Sequence, residues 1–307
     1  MFTRIVVPLD GTRFAEAALA PARELARAFG SRILVVRAAP PIAPISSDIE
    51  RDLEQVDAAD AYLHDIVSHL RAANYNADMA LYLAEPGMSI AGAALLDNAD
   101  LIVMAAHLRW KDGATSRAST TEDVLARASV PLLVWRVGAA QESEGGPDVE
   151  ERPPYFLNSA EPIVVALDGT PFAEQALPMA ETLARTFGTY LLLVRAMRRG
   201  AEVTEGEVRQ YLLRIKQQLA ERGIQATTLT RPGDPLGVLE AAWREYDGSM
   251  IVMTTHGYAD TRRRAFGSLA TRMVTEIEAP VLIVRASGAS AMPTDQASAW
   301  PGPDIPV

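Results

Sequence analysis

Ile5-Val6-Val7-Pro8-Leu9-Asp10-Gly11-Thr12 returns 158 positions later as Ile163-Val164-Val165-Ala166-Leu167-Asp168-Gly169-Thr170. Each copy is a short β-branched run that stops at a turn-forming Asp-Gly, the pattern of a buried strand feeding a helix. The helices that follow match as well. Ala15, Leu19, Ala22, Ala26 and Phe29 step by four, three, four and three residues, and Ala173, Leu177, Ala180, Ala184 and Phe187 repeat those steps, one apolar stripe per helix. Gly30 and Gly188 stand where a left-handed residue ends a helix, and strands are expected at Ile33 to Arg37 and Tyr190 to Arg195. Pro21 and Pro178 fall inside the first helices, where proline costs about 3 kcal/mol, so a kink is expected there.

Towards the end of each copy the offset drops to 149: Val103-Met104-Ala105-Ala106-His107 matches Val252-Met253-Thr254-Thr255-His256, and Val130 to Arg136 matches Ala279 to Arg285. The second copy is therefore nine residues shorter between its first helix and fourth strand. Short strands alternating with longer helical segments predict two tandem doubly wound α/β domains, each a parallel sheet of about five strands with helices on both faces. The boundaries read as a domain over 1–138, an exposed Gly/Pro-rich acidic linker over 139–160, a domain over 161–286 and a disordered tail over 287–307. Pro131 to Arg136 and Pro280 to Arg285 are apolar edge candidates, and their pairing would make the copies an intramolecular pseudo-dimer, with further homodimerisation open.

The chain has 307 residues, 49% of them hydrophobic, which suits two soluble globular cores. With 29 basic and 39 acidic residues the net charge is −10, which argues against nucleic acid as a partner. The absence of cysteine excludes disulfides and thiolate metal sites. No signal peptide and no membrane span is read, so the expected location is the cytoplasm.

Several chemistries are excluded by spacing. No two glycines are separated by one residue, so the dinucleotide fingerprint G-x-G-x-x-G is missing. Lys111 and Lys216 are the only lysines and neither sits in a P-loop motif, and a G-x-S-x-G nucleophile elbow is also lacking. His64 and His69 are five apart on an expected helix, a poor metal pair, and read as surface residues. Asp10 and Asp168 each fit either a strand-to-helix turn, with the acid or the threonine as N-cap, or a ligand site; the turn is the favoured reading for Asp10 and the ligand site for Asp168.

The positive signal lies in the second copy, where Thr254-Thr255-His256-Gly257 is followed by nine residues, then Gly267-Ser268 and a helix through Leu269, Met273 and Ile277. Glycines let backbone approach phosphates closely, and a helix start offers N–H donors to an anion. Arg262-Arg263-Arg264 add positive charge between the glycines, as a polyphosphate screen or as a solvated loop.

Over both copies these residues resemble the universal stress protein family, whose ATP-binding members carry G-x-x-G, nine residues and G-[ST] after the fourth strand. The resemblance implies nucleoside contact by Asp168 and ribose and phosphate contact around Thr254, His256, Gly257, Gly267, Ser268 and Leu269. Its implied ligand is an adenine nucleotide, ATP foremost, with or without Mg2+. Thr254 replaces the first motif glycine, and in the first copy Ala105, Leu108 and Ala118 replace all three, leaving His107 and Ser119. The first site is therefore expected to be empty and its domain structural. The alternatives are a nucleotide-independent interaction protein of the same fold and, more weakly, a slow ATPase with His256 as acid or base.

Overall fold

Ile5, Val6 and Val7 in the first copy and Ile163, Val164 and Val165 in the second are all fully buried, because helices cover both faces of the strands they form. The protein is described here from a computed structural model covering residues 2–39, 49–106, 120–136, 157–197, 203–256 and 268–286. The first copy runs β1 (Arg4–Pro8), α1 (Arg13–Glu16), α2 (Leu19–Phe29), β2 (Arg32–Ala39), α3 (Ile49–Ala72), β3 (Ala77–Leu83), α4 (Pro86–Leu96), β4 (Leu101–Ala106), α5 (Thr120–Arg127) and β5 (Leu132–Arg136). The second repeats it as β6 (Ile163–Ala166), α6 (Pro171–Glu174), α7 (Leu177–Phe187), β7 (Leu191–Met197), α8 (Glu205–Glu221), β8 (Ala226–Pro232), α9 (Pro235–Glu245), β9 (Met250–His256), α10 (Ser268–Glu276) and β10 (Val281–Ala286). The first copy's additional residues lie between β2 and the body of α3, which has 24 residues against 17 in α8.

At the expected kink the backbone stays right-handed through Ala17-Ala18 and Gln175-Ala176, but the helix ladder changes there to i→i+3 bonds. Each first helix is split into a four-residue turn and an eleven-residue helix, so that Pro21 is the third residue of α2 and Pro178 the second of α7. At those positions the missing N–H has no intrahelical acceptor to lose, which removes most of the proline penalty. Gly30 and Gly188 close α2 and α7 at φ +69°, as their positions in sequence require.

The two five-stranded sheets are one. The strand order is β3-β2-β1-β4-β5-β10-β9-β6-β7-β8, parallel within each copy and antiparallel only where β5 meets β10. Val134, Leu133 and Leu132 pair there with Val281, Leu282 and Ile283, the two runs singled out as edges. Two hydrophobic layers, one on each sheet face, each draw residues from both copies. Phe29 and Phe187 meet edge to face across the copies, with ring centroids 6.3 Å apart. Within the expected linker Leu157 is buried and its amide donates to Glu24, while Ser159 and Ala160 are exposed. Residues 139–156 of the expected linker and the tail over 287–307 lie outside the described residues.

A reciprocal pair of arginines closes the seam. Arg136, at the end of β5, donates to the Ala106 carbonyl at 3.0 Å and to the Met273 carbonyl of α10 at 3.3 Å. Arg285, near the end of β10, donates to the Leu125 carbonyl of α5. Met273 and Leu125 are among the last four carbonyls of their helices, which lack intrahelical donors and carry the negative end of the dipole. Each copy thus supplies a cation to the final helix of the other. Burial holds both guanidinium groups down to about 10. Arg285 keeps two buried nitrogens, Nε and Nη1, without a hydrogen bond, against Nε alone in Arg136. We expect Arg136→Met to destabilise the protein by about 2 to 4 kcal/mol, because it strips donors from two carbonyls. Arg285→Met should cost less than about 2 kcal/mol, since it also removes two unsatisfied nitrogens. Urea unfolding of the full chain measures the difference; equal losses would contradict it.

Candidate functional site

In a doubly wound sheet, neighbouring strands whose following helices lie on opposite faces leave a crevice at their carboxyl ends. Here that point falls between β6 and β9, paired in parallel through Ile163 with Met250, Val164 with Ile251 and Val165 with Val252. Asp168 follows β6 by two residues, and Thr254, Thr255 and His256 end β9, so the topology brings the predicted nucleoside and phosphate ends to one edge.

The turn after β6 is built by Asp168 and Thr170. Asp168 Oδ1 accepts from the Thr170 amide at 2.8 Å and from Thr170 Oγ1 at 2.6 Å, while Oγ1 accepts from the Ala173 amide at 3.2 Å as the cap of α6. The turn reading and the site reading are therefore compatible: one carboxylate oxygen is used by the turn, and Oδ2 takes no hydrogen bond among the described residues. Gly169 sits at φ +90°, and a Cβ on it would lie 2.5 Å from Arg195 Nη1, so the guanidinium rests directly on the turn. Arg195 also stacks over Tyr211, 5.3 Å from the ring centroid. Burial, then the nearby Glu174 carboxylate, push the Tyr211 hydroxyl well above its ordinary range.

Arg195, Tyr211 and Glu174 were not legible as site residues one by one. A signal existed in the repeat. Arg37 and Glu16 precede Arg195 and Glu174 by 158 positions, and Tyr62 precedes Tyr211 by 149. The first copy folds them alike: Asp10 Oδ1 accepts from the Thr12 amide at 2.9 Å, Gly11 sits at φ +87° under Arg37, and Arg37 stacks over Tyr62 at 5.1 Å. Tyr62 donates to Glu16 Oε1 at 2.8 Å.

A cleft of about 510 Å³ opens over the edge of the second copy. Asp168, Arg195, Thr254 and Thr255 are among its polar lining residues, and Phe172 and Leu269 among its apolar ones. The structure thus unites Asp168, Thr254 and Leu269 around one space, and places His256 at the end of β9 and Ser268 at the start of α10. Gly257, Gly267 and the three arginines Arg262 to Arg264 lie outside the described residues, as do His107, Leu108, Ala118 and Ser119 of the first copy. His64 and His69 are exposed on α3 beside Asp60 and Asp65, as surface histidines.

A profile of the universal stress protein family matches residues 1–136 and again 160–285. The chain belongs to the universal stress protein family. A universal stress protein of Thermus aquaticus is 30% identical over 142 residues, matching all of that protein and 44% of this chain, as a single-domain relative matches one copy. The fold extends over both copies in a universal stress protein from Archaeoglobus fulgidus DSM 4304, with a TM-score of 0.71, 18% identity and coverage of 92% of this chain and 98% of that one. One from Pseudomonas aeruginosa gives 0.63 at 15% identity, over 93% and 94%.

As a tandem universal stress protein, the chain keeps the strand-end Asp-Gly-Thr turn in both copies but the glycine-rich segment only in the second. Gly169 is required by its backbone angle. We expect Gly169→Ala to cost about 1 to 3 kcal/mol, chiefly from a side chain forced to positive φ, since the guanidinium above it can move. Thermal unfolding checks the cost, and a neutral substitution would show that the turn relaxes.

Proposed function

We propose that the second copy binds an adenine nucleotide, ATP foremost, and that this cytoplasmic protein signals through binding rather than turnover, with the first copy as a structural partner. The observation that carries this proposal is the 510 Å³ cleft at the β6/β9 switch point, which joins a carboxylate with a free oxygen to the first turn of α10. Asp168 Oδ2 would accept from the ribose hydroxyls. The apolar lining suits a flat base, and the amides that open α10 would offer donors to the phosphates. Gly257, Gly267 and Ser268 would form the phosphate loop, with Thr254 and His256 beside it.

Among the described residues no group of three or more acidic or histidine side chains could hold a metal ion, and Asp168 stands alone. Mg2+ would therefore arrive on the phosphates, held by nucleotide oxygens. No helix among the described residues is long and apolar enough to cross a membrane. The competing reading, an interaction protein independent of nucleotide, draws on Thr254 at the first glycine position and on the three glycines missing from the first copy.

Native mass spectrometry of the freshly purified chain should find one adenine nucleotide per chain. In titration calorimetry, Asp168→Ala should weaken ATP about ten- to a hundredfold, the loss of a hydrogen bond to a charged acceptor, while Asp10→Ala leaves it unchanged. Gly267→Val should abolish binding by bulk at a close-approach position, with circular dichroism unaltered. Wild-type protein that neither carries nor binds a nucleotide would hand the lead to the interaction protein.

A further inference from the structure

Helix α4 differs from the other described helices in carrying no charged residue. Its sequence, Pro86-Gly87-Met88-Ser89-Ile90-Ala91-Gly92-Ala93-Ala94-Leu95-Leu96, contains no charge. Ile90, Ala93 and Ala94 are buried against the sheet, yet the opposite face is apolar too: Leu95 is 67% exposed, Leu96 69% and Met88 40%. A helix apolar all round normally has protein on every side.

The repeat supplies an internal control. Helix α9 occupies the same place in the second copy, and at the positions of Met88, Leu95 and Leu96 it carries Gly237, Arg244 and Glu245. Arg244 bridges Glu240 and Glu278, both at 2.9 Å, and Glu245 bridges Arg231 at 2.6 Å, a solvated charged face. The fold therefore needs no leucine at these positions. The neighbouring edge strands differ in the same direction. On the α4 side of the sheet β3 has Tyr82 where β8 has Arg231, and its exposed last residue is Leu83 where β8 ends in Pro232.

Gly92 lies at the centre of the exposed face. Its backbone angle is ordinary, and a Cβ there would meet nothing within 4 Å. Nothing among the described residues calls for glycine, which costs roughly 1 kcal/mol relative to alanine inside a helix, and α9 has Ala241 instead. A missing side chain on an apolar helix face is what close approach of a second helix requires.

We propose that α4 is a homodimer interface, two copies of the chain meeting about a two-fold axis with their α4 helices antiparallel and crossing at Gly92. A two-fold contact must be its own complement. Met88 and Leu96 flank Gly92 by four residues on either side, so crossing there sets Met88 of one chain against Leu96 of the other, twice, with Leu95 beside them. The 4-4 ridge packing this uses is the commonest helix contact. The charge balance selects the same face: a chain of net charge −10 repels its own copy over most of its surface, and α4 carries none of that charge. A stable interface buries about 800 Å² per partner, more than three side chains supply, so the β3 edge must share in the contact. The dimer should be weak and reversible.

Sedimentation velocity on the full chain tests this directly. Wild type should shift from monomer to dimer as its concentration rises through the micromolar range, on the order of 1 to 100 μM. L95R/L96E, which installs the residues α9 already carries, should fold normally by circular dichroism and weaken the dimer at least about tenfold. G92A should raise the thermal midpoint of the monomer while also weakening the dimer about tenfold, a pair of opposite effects that a purely structural glycine would not produce. A wild-type chain still monomeric at about 1 mM, or a dimer of unchanged affinity in L95R/L96E, overturns the interface. Unchanged affinity in G92A overturns the crossing point.

Discussion

The antiparallel pairing of β5 with β10 is the constraint on which the rest of the molecule depends. A doubly wound unit of order 3-2-1-4-5 ends in a strand whose outer N–H and C=O groups lack partners, and β5 and β10 are almost wholly apolar and buried. Leaving such a strand open would expose both hydrophobic side chains and unpaired backbone. Duplication in one chain solves both problems at once. The effective concentration of the second copy is high, and the two hydrophobic layers run continuously across the seam. Arg136 and Arg285 add direction to an otherwise nonspecific apolar contact, because each donates to a carbonyl near the end of the other copy's last helix.

The same seam ties the candidate site to the copy without a glycine motif. Helix α10 lines the cleft through Leu269 and Ala270, and its Met273 carbonyl is held by Arg136 of the first copy. The first copy can therefore lose its own glycines and still be needed, since it packs against and caps the helix that frames the second site. Its retained Asp10, Arg37, Tyr62 and Glu16 set has a structural reason too: the arginine lies on the glycine turn and the tyrosine beneath the arginine, which fixes the strand end whether or not a ligand follows.

Much of this was legible in the chain because it follows from local periodicity. The repeat, the five strands per copy, the glycine helix ends and the edge strands that pair were all set by residues close in sequence. The turn at Asp168 was legible as either cap or ligand; Thr170 is the cap, and Asp168 braces the turn with one oxygen to spare. The change of helix ladder before Pro21 and Pro178 could be placed only to within a turn, because proline is disfavoured in a helix interior but accepted in its first turn, and the sequence does not say where that turn starts.

Sequence alone determined the fold and its duplication, since buried strands and amphipathic helices are encoded by the spacing of apolar residues along the chain. Tertiary structure decided which distant polar groups meet. Arg195 reaches Gly169 and Tyr211 from positions 26 and 16 residues away. Arg136 reaches Met273 across 137 residues, and the bare face of α4 emerges only once the sheet has claimed the other. Such contacts depend on side-chain direction and on how two sheet edges register, and neither quantity is carried by local spacing.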